Sequence, residues 1–397
     1  MGSGGFGLLR SDSTVELTPG YISVAPSALG SALPQNRSLG ARCGYAGTMT
    51  QSSAAQTSPV LIDTFGRRAE DLRISLTDKC SLRCTYCMPA EGLNWLSATS
   101  VLTDDELLRI AGIFVSLGVR TIRLTGGEPL VRAGVAGLVA RLAALDPRPE
   151  LSLTTNAISL ADKAVDLARS GLNRVNVSLD TLDRAKFAAL TRRDRLPDVI
   201  AGLAAADAAG LRPIKVNAVL MRDQNLTEAP ELLAWALTAG YRLRFIEHMP
   251  LDADHLWTME GMVTAAEVLE VLSDTFELRP LGHEGHAPAE DFEVVDGPGR
   301  ADWVSSGSGP HRVGIIASVT RPFCRDCDRL RLTADGQLRT CLFAHQETDL
   351  RALLRSGADD AEIAELIRTA VRAKPAGHGI NAPGFRQPER TMSAIGG

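Results

Sequence analysis

Asp71-Leu72-Arg73-Ile74-Ser75-Leu76-Thr77-Asp78-Lys79-Cys80-Ser81-Leu82-Arg83-Cys84-Thr85-Tyr86-Cys87 joins a strand pattern to three cysteines spaced C-x3-C-x2-C. Leu72, Ile74 and Leu76 alternate with polar residues, the period of a strand with one apolar face. Three thiolates on a short loop after that strand can converge on one inorganic centre. A structural zinc site normally takes four protein ligands, whereas a [4Fe–4S] cluster takes one per iron. Three cysteines leave one iron open to an exogenous ligand. Zinc with a remote fourth ligand fits the spacing equally well.

Outward from this stretch, strand patterns alternate with helical ones. Strands are expected at residues 72–77, 121–124, 151–155, 174–179, 213–220 and 243–247, and helices at 104–117, 135–144, 160–169, 197–209 and 229–239. Thr103 followed by Glu106 reads as a capping box. Six β/α units in series imply a parallel sheet, either doubly wound or a partial barrel. In both, chemistry collects at the C-terminal ends of the strands.

After Pro250 the rhythm changes to short strands at 276–280, 292–295, 313–318 and 329–333, then helices at 349–356 and 360–373. This suggests a barrel domain at 59–250, a smaller α+β domain at 251–373 and an irregular tail at 374–397. His283, His286 and His311 fall in a Gly/Pro/Ser-rich stretch at 283–311 and read as solvated loop residues. Residues 1–58 carry five charges and no sustained periodicity, the composition of a disordered extension. Arg10, Arg37 and Arg42 give weak support to a mitochondrial presequence, and Met49 opens a shorter chain.

The 397 residues carry a net charge of −5, so the fold as a whole is not built to hold nucleic acid. No apolar run approaches the roughly 18 residues of a membrane span. Seven cysteines, an odd number, argue against a disulfide framework. Cys43 stands alone; the others form the first triplet and a second, Cys324-x2-Cys327-x13-Cys341. Two triplets suggest two metal sites in a reducing compartment.

Cys80-x3-Cys84-x-Tyr86-Cys87 resembles the signature of radical S-adenosylmethionine (SAM) enzymes, and Thr125-Gly126-Gly127-Glu128-Pro129 resembles their glycine-rich SAM motif one β/α unit later. The resemblance implies a partial (β/α)6 barrel and a [4Fe–4S] cluster on Cys80, Cys84 and Cys87. In the family, the open iron chelates SAM, and one electron releases a 5′-deoxyadenosyl radical.

The second triplet sits in Pro322-Phe323-Cys324-Arg325-Asp326-Cys327-Asp328-Arg329-Leu330-Arg331-Leu332-Thr333 and Leu338-Arg339-Thr340-Cys341-Leu342. With Asp71–Thr77, Met88-Pro89, Asn176-Val-Ser178-Leu-Asp180 and Phe245-Ile-Glu247-His-Met249-Pro250, it resembles the GTP 3′,8-cyclase family of molybdenum cofactor biosynthesis, from about residue 60 to the C-terminus. The resemblance implies a second [4Fe–4S] cluster on Cys324, Cys327 and Cys341 that meets guanine. It also implies conversion of GTP to 3′,8-cyclo-7,8-dihydro-GTP, an electron donor of unknown identity, and hand-off to cyclic pyranopterin monophosphate synthase. A homodimer is left open, and the expected place is the bacterial cytoplasm, or the mitochondrial matrix if the source is eukaryotic.

Carried over residue by residue, SAM would meet Tyr86, Gly127, Ser178 and Met249. GTP would meet Arg73, Arg123, Thr154, Lys215 and the segment Arg329, Leu330, Arg331. A triphosphate suits several arginines, whose forks donate bidentate hydrogen bonds. The final Gly396-Gly397 would insert into the active site, with Met392 and Ile395 anchoring the tail. Two places depart from the family. Thr121 stands where Lys is usual, and Ala157 ends a turn that usually ends in Gly. The stretch 297–311 is also long. Rival readings are a peptide-modifying radical SAM enzyme with an auxiliary cluster and a zinc-stabilised binding protein.

Overall fold

The computed structural model describes residues 60–305 and 311–396. The expected extension 1–58, with Cys43 and Met49, lies outside the described residues, as does Gly397. The repeating part runs β1 (Asp71–Ser75), α1 (Asp104–Ser116), β2 (Thr121–Thr125), α2 (Val135–Ala143), β3 (Glu150–Thr155), α3 (Ala164–Arg169), β4 (Arg174–Ser178), α4 (Arg184–Thr191), α5 (Leu196–Ala208), β5 (Lys215–Val219), α6 (Ala229–Thr238) and β6 (Arg242–Ile246). There follow α7 (Ala265–Ser273), β7 (Glu277–His283), β8 (Glu290–Asp296), α8 (Arg300–Ser305), β9 (Arg312–Ile316), β10 (Arg329–Leu332), β11 (Gln337–Arg339), β12 (Thr348–Asp349), α9 (Leu350–Arg355), α10 (Asp360–Arg372) and α11 (Met392–Ile395).

The strands form one sheet in the order β12-β11-β10-β1-β2-β3-β4-β5-β6-β9-β8-β7. β1 to β6 pair in parallel, as the βα rhythm requires. β9 adds in parallel to β6 and β10 in parallel to β1. The sheet therefore crosses the expected boundary at residue 250, and the described residues all fall within one compact unit. Antiparallel neighbours cover what would otherwise be bare parallel edges.

Alternation divides the two faces of each strand. Leu72 and Ile74, Ile122 and Leu124, Val175 and Val177, and Leu243 and Phe245 are buried on the outer face, in one core with Leu107, Phe114, Leu138, Leu203 and Leu233 of the helices. At roughly 1.5–3 kcal/mol per fully buried large apolar side chain, this face dominates stability. The inner face is polar: Asp71, Arg73 and Ser75 on β1 stand in register with Thr121, Arg123 and Thr125 on β2 and with Arg329 and Arg331 on β10. Ordinary (β/α)8 barrels fill this space with branched apolar residues; here it is given over to cations.

Helices start where the sequence marks them. Thr103 Oγ1 accepts from the Glu106 amide at 3.2 Å, and the Glu106 carboxylate accepts from the Thr103 amide at 2.8 Å. The same box recurs at α7 and α10. Four helices were absent from the sequence reading: α4, α7, α8 and α11. The stretch 283–311 is not one loop, because β8 and α8 occupy much of it. The tail is irregular only to Thr391 and closes in a single helical turn. No helix among the described residues is long and apolar enough to cross a membrane.

Candidate active site

A cavity opens where the parallel strands end. Its lining includes Arg73, Tyr86, Arg123, Thr154, Ser178, Met249, Arg329 and Arg331, together with all three cysteines of the second triplet. Eleven residues named from the sequence thus surround one space. Cys80, Cys84, Cys87, Gly127, Lys215, Leu330 and Gly396 are not among its lining residues. Leu330 is fully buried in the helix-packed core, so only its backbone can face a ligand. Lys215 begins β5, in register with Asn176 and Arg242.

The first cysteine loop is fixed by backbone contacts. Gly127 donates its amide to the Thr77 carbonyl at 2.8 Å, and Glu128 to that of Lys79 at 2.8 Å. A Cβ at Gly127 would lie 2.3 Å from the Lys79 carbonyl oxygen, so only glycine lets this turn approach the loop. From the other side, Arg83 and Thr85 donate to carbonyls of α4 residues Thr191 and Leu190, and Arg192 reaches the Arg83 and Met88 carbonyls. The Glu128 carboxylate, its pKa pushed up by burial to about 7, accepts from the amides of Leu130 and Asn156 and from the Thr155 hydroxyl.

All six described cysteines are free. The charge of each thiolate in the first loop is felt by another: Cys84 by Cys87 and Cys80, Cys87 by Cys80. Burial, then this repulsion, pushes Cys84 well up and Cys87 to about 12; ionised together, they need a cation between them. Leu82 N–H and Asn156 Nδ2 point at Cys80 Sγ from 3.5 and 3.9 Å, the donors a cluster-bound thiolate takes. Ser393, in the tail, lies near enough to Cys87 to favour its thiolate, though burial outweighs it. Cys324 is likewise repelled by Cys341 and Cys327. Burial raises Cys327, but Lys374, Arg329 and Arg331 outweigh it and leave its thiol below the ordinary value. No three His, Cys, Asp or Glu side chains among the described residues converge to hold a single metal ion. A cubane asks for no such convergence, since each thiolate binds its own iron. Both donor sets fit that group.

The cation set is tightly packed. Asp71 stands among Arg73, Arg123, Arg329 and Arg331, with its Oδ2 at 3.9 Å from Arg123 and 4.0 Å from Arg329. Burial would raise its pKa, but the four guanidinium groups hold it below the ordinary carboxylate value. Arg73 is pulled down by burial and then by Arg123 and Arg331. Arg331, depressed by burial to about 10, keeps its Nε buried without a partner, as does Arg73. Lys215 is pushed to about 7 by burial and by Arg244, Arg174 and Arg123. So much unneutralised positive charge in one place calls for a polyanion.

Molybdenum Cofactor Synthesis C, as a family model, matches residues 241–380, and the Radical SAM superfamily model matches residues 74–236. Over 352 residues the chain is 59% identical to the GTP 3′,8-cyclase of Streptomyces coelicolor, covering 88% of this chain and 100% of that one. It is 57% identical over 348 residues to the GTP 3′,8-cyclase of Mycolicibacterium smegmatis, covering 87% and 94%. The chain belongs to the GTP 3′,8-cyclase family. Among solved structures, Streptococcus suis SuiB bound to precursor peptide SuiA shares the fold with a TM-score of 0.54 and 16% identity, over 82% of this chain and 76% of that one. The protein is a radical SAM enzyme of the α/β class, with a partial barrel and a C-terminal extension.

Several cavity residues were given no role from sequence. Arg244 and Asn217 lie on the inner face by plain alternation from Lys215 and were legible in principle. Asp180 accepts from the Tyr86 hydroxyl at 2.7 Å, and burial lifts its pKa to about 6. Arg67 had no sequence signal. Its guanidinium binds Asp63 at 2.5 Å and the carbonyls of Cys324, Pro375 and Ala376. The departures are accommodated. Thr121 bonds weakly to the Glu70 carbonyl, and Arg120 stays outside at the surface. Arg174, paired with Glu150 at 2.6 Å, adds a cation whose field reaches Arg123, Lys215 and Arg244. Ala157 takes the glycine conformation, at φ +62°.

Proposed function

We propose that this protein converts GTP to 3′,8-cyclo-7,8-dihydro-GTP, the first step of molybdenum cofactor biosynthesis, using the cavity ringed by the arginines and the second cysteine triplet. The observation that carries the reading is that half-buried arginines from β1 and β2, buried arginines from β10 and the cysteines of the second triplet line the same space. Cys80, Cys84 and Cys87 would hold a cluster that would supply the electron for cleaving SAM to a 5′-deoxyadenosyl radical, and Cys324, Cys327 and Cys341 would hold one that would bind the guanine base.

This chain's residues do the positioning. Arg73, Arg123, Arg329, Arg331 and Lys215 take the triphosphate. Thr154 offers a hydroxyl to the ribose or phosphate. Tyr86, Gly127, Ser178 and Met249 hold SAM, Tyr86 being oriented by its bond to Asp180. The helices outside and the tail over the mouth exclude water from a radical that would otherwise be quenched. The tail packs Met392 and Ile395 with Leu251, Val319 and Phe343, and Arg390 ties it to Asp335 and Glu347. An outside donor supplies the electrons, and the product passes to cyclic pyranopterin monophosphate synthase.

The test is anaerobic incubation of the iron-reconstituted protein with GTP, SAM and dithionite. Stoichiometric 5′-deoxyadenosine and cyclic nucleotide are expected. SAM cleavage stimulated by a peptide and indifferent to GTP would overturn the substrate assignment.

A further inference from the structure

We propose that Lys374 is the counter-cation of the cluster on Cys324, Cys327 and Cys341, and that its charge sets that cluster's reduction potential. The proposal rests on the reading above, in that it requires a cluster at these three cysteines.

Lys374 follows α10, where the chain turns into the tail, and is 4% exposed. Its Nζ donates to the Cys327 carbonyl at 2.8 Å and to the Arg329 carbonyl at 3.0 Å, and it stands 3.8 Å from Cys327 Sγ. An ammonium has three donors. Here they go to two neutral carbonyls and one sulfur. The carbonyls satisfy hydrogen bonds but not the charge. Asp63, the carboxylate whose field reaches this position, is already paired with Arg67 at 2.5 Å. A buried cation needs a compensating anion. Three thiolates outweigh the positive charge of an oxidised cubane core, so a loaded site supplies that anion at the sulfur Lys374 already faces.

The energetic consequence follows from sign. Reduction adds one electron, and a fixed positive charge beside a ligand sulfur favours the reduced form. Arg329 and Arg331 also lie near Cys327 and, like Lys374, line the cavity. Lys374 spends its donors on protein atoms. Its charge is therefore held at the Cys327 sulfur by the protein's own carbonyls.

The experiment is an EPR-monitored redox titration, with dithionite as reductant, of the reconstituted full-length protein and its Lys374→Gln and Lys374→Arg variants. The wave that moves on adding SAM marks the first cluster; the other belongs to the second. In Lys374→Gln, the second wave should fall so that the reduced-to-oxidised ratio at a fixed potential drops about tenfold, ~59 mV for one electron, with the first wave unmoved. Lys374→Arg should keep the wild-type midpoint. A Lys374→Gln protein with full iron and an unchanged second midpoint overturns the proposal. Should Lys374→Gln shed iron, retention becomes the readout: Lys374→Arg must then hold the full complement, and its failure to do so overturns the proposal equally. Wild-type protein that takes up only about four iron, rather than about eight, removes the second cluster and the reading beneath the proposal. Eight iron with an unmoved potential removes the proposal alone.

Discussion

Gly396 packs against Ser75 so closely that a Cβ on it would lie 2.5 Å from the Ser75 hydroxyl oxygen and 2.8 Å from Thr125 Cγ2. It sits at φ +75°, where side chains are disfavoured. The chain end therefore reaches the C-terminal ends of β1 and β2, beside the first cysteine loop. Gly396→Ala would have to displace the tail or those strands. Its expected outcome is loss of cyclic product with iron content intact and SAM cleavage continuing uncoupled. Deleting Gly396 and Gly397 should do the same. Cyclisation at the full rate in either protein would make the tail a mere terminus.

Cys84 is half-buried, and its neighbours Arg83 and Thr85 are held by α4 carbonyls. Cys84→Ala should leave this loop in place while removing one iron ligand. Iron should fall from about eight to about four per chain, and 5′-deoxyadenosine should disappear. Normal SAM cleavage by that variant would remove the basis for the radical mechanism.

Arg329 and Arg331 face the cavity from β10, and the Arg331 Nε has no protein partner. A charge-assisted hydrogen bond is worth roughly 1.5–3 kcal/mol, so each change to Ala should weaken GTP about tenfold or more. SAM binding should hold. Equilibrium binding of both ligands to the reconstituted protein checks this, and equal losses for the two would point to a collapsed barrel rather than a lost phosphate contact.

The parallel barrel was legible because alternation on β1 to β6 and the helix caps between them are local signals. Arg73 and Arg123 stood out as charges within apolar strands, and the structure puts both in the cavity. What the sequence hid is non-local. That β10 lies on β1, bringing Arg331 beside Arg73, depends on a pairing across some 250 residues. Arg67 grips Cys324 and the tail through backbone carbonyls, which any sequence supplies. Helix α4 was missed because its apolar face is short, with Phe187 and Leu190 as its buried large side chains. Leu330 was grouped with its arginine neighbours by adjacency, whereas alternation sends it to the other face.

Ala157 carries a cost that a single change can relieve. Its φ of +62° puts Cβ against its own carbonyl, a penalty of roughly 1–2 kcal/mol. The backbone is held there because α5 presses Gly202 onto it: a Cβ at Gly202 would lie 2.3 Å from the Ala157 carbonyl oxygen. Ala157→Gly removes the clash but adds about 0.5–1 kcal/mol of unfolded-chain entropy. The net expectation is a gain of about 0.5–1 kcal/mol in chemical denaturation, with activity unchanged. A loss of stability would mean that the Ala157 methyl group contributes more in packing than its backbone costs.

The proposed contact of Lys215 with GTP should make binding sensitive to pH. Burial, then Arg244, Arg174 and Arg123, depress its pKa from 10.5 to about 7. Between pH 7 and 10.5 the unfolded chain holds this proton and the folded chain has released it, so the free protein gains stability as pH rises through that window. A triphosphate acts in the opposite sense. It favours the charged lysine and raises the pKa in the complex, so binding at pH 7 should take up about half a proton. Affinity should be highest below pH 7 and fall as pH climbs above it, up to about tenfold per unit until the pKa in the complex is reached. Calorimetry in buffers of different ionisation enthalpy measures the uptake directly. Lys215→Met isolates this group from the ionisation of the phosphates themselves: it should abolish the uptake and flatten the pH dependence while weakening GTP. Proton uptake that persists undiminished in Lys215→Met would place the titrating group elsewhere and leave Lys215 as a buried strand residue with no part in holding the nucleotide.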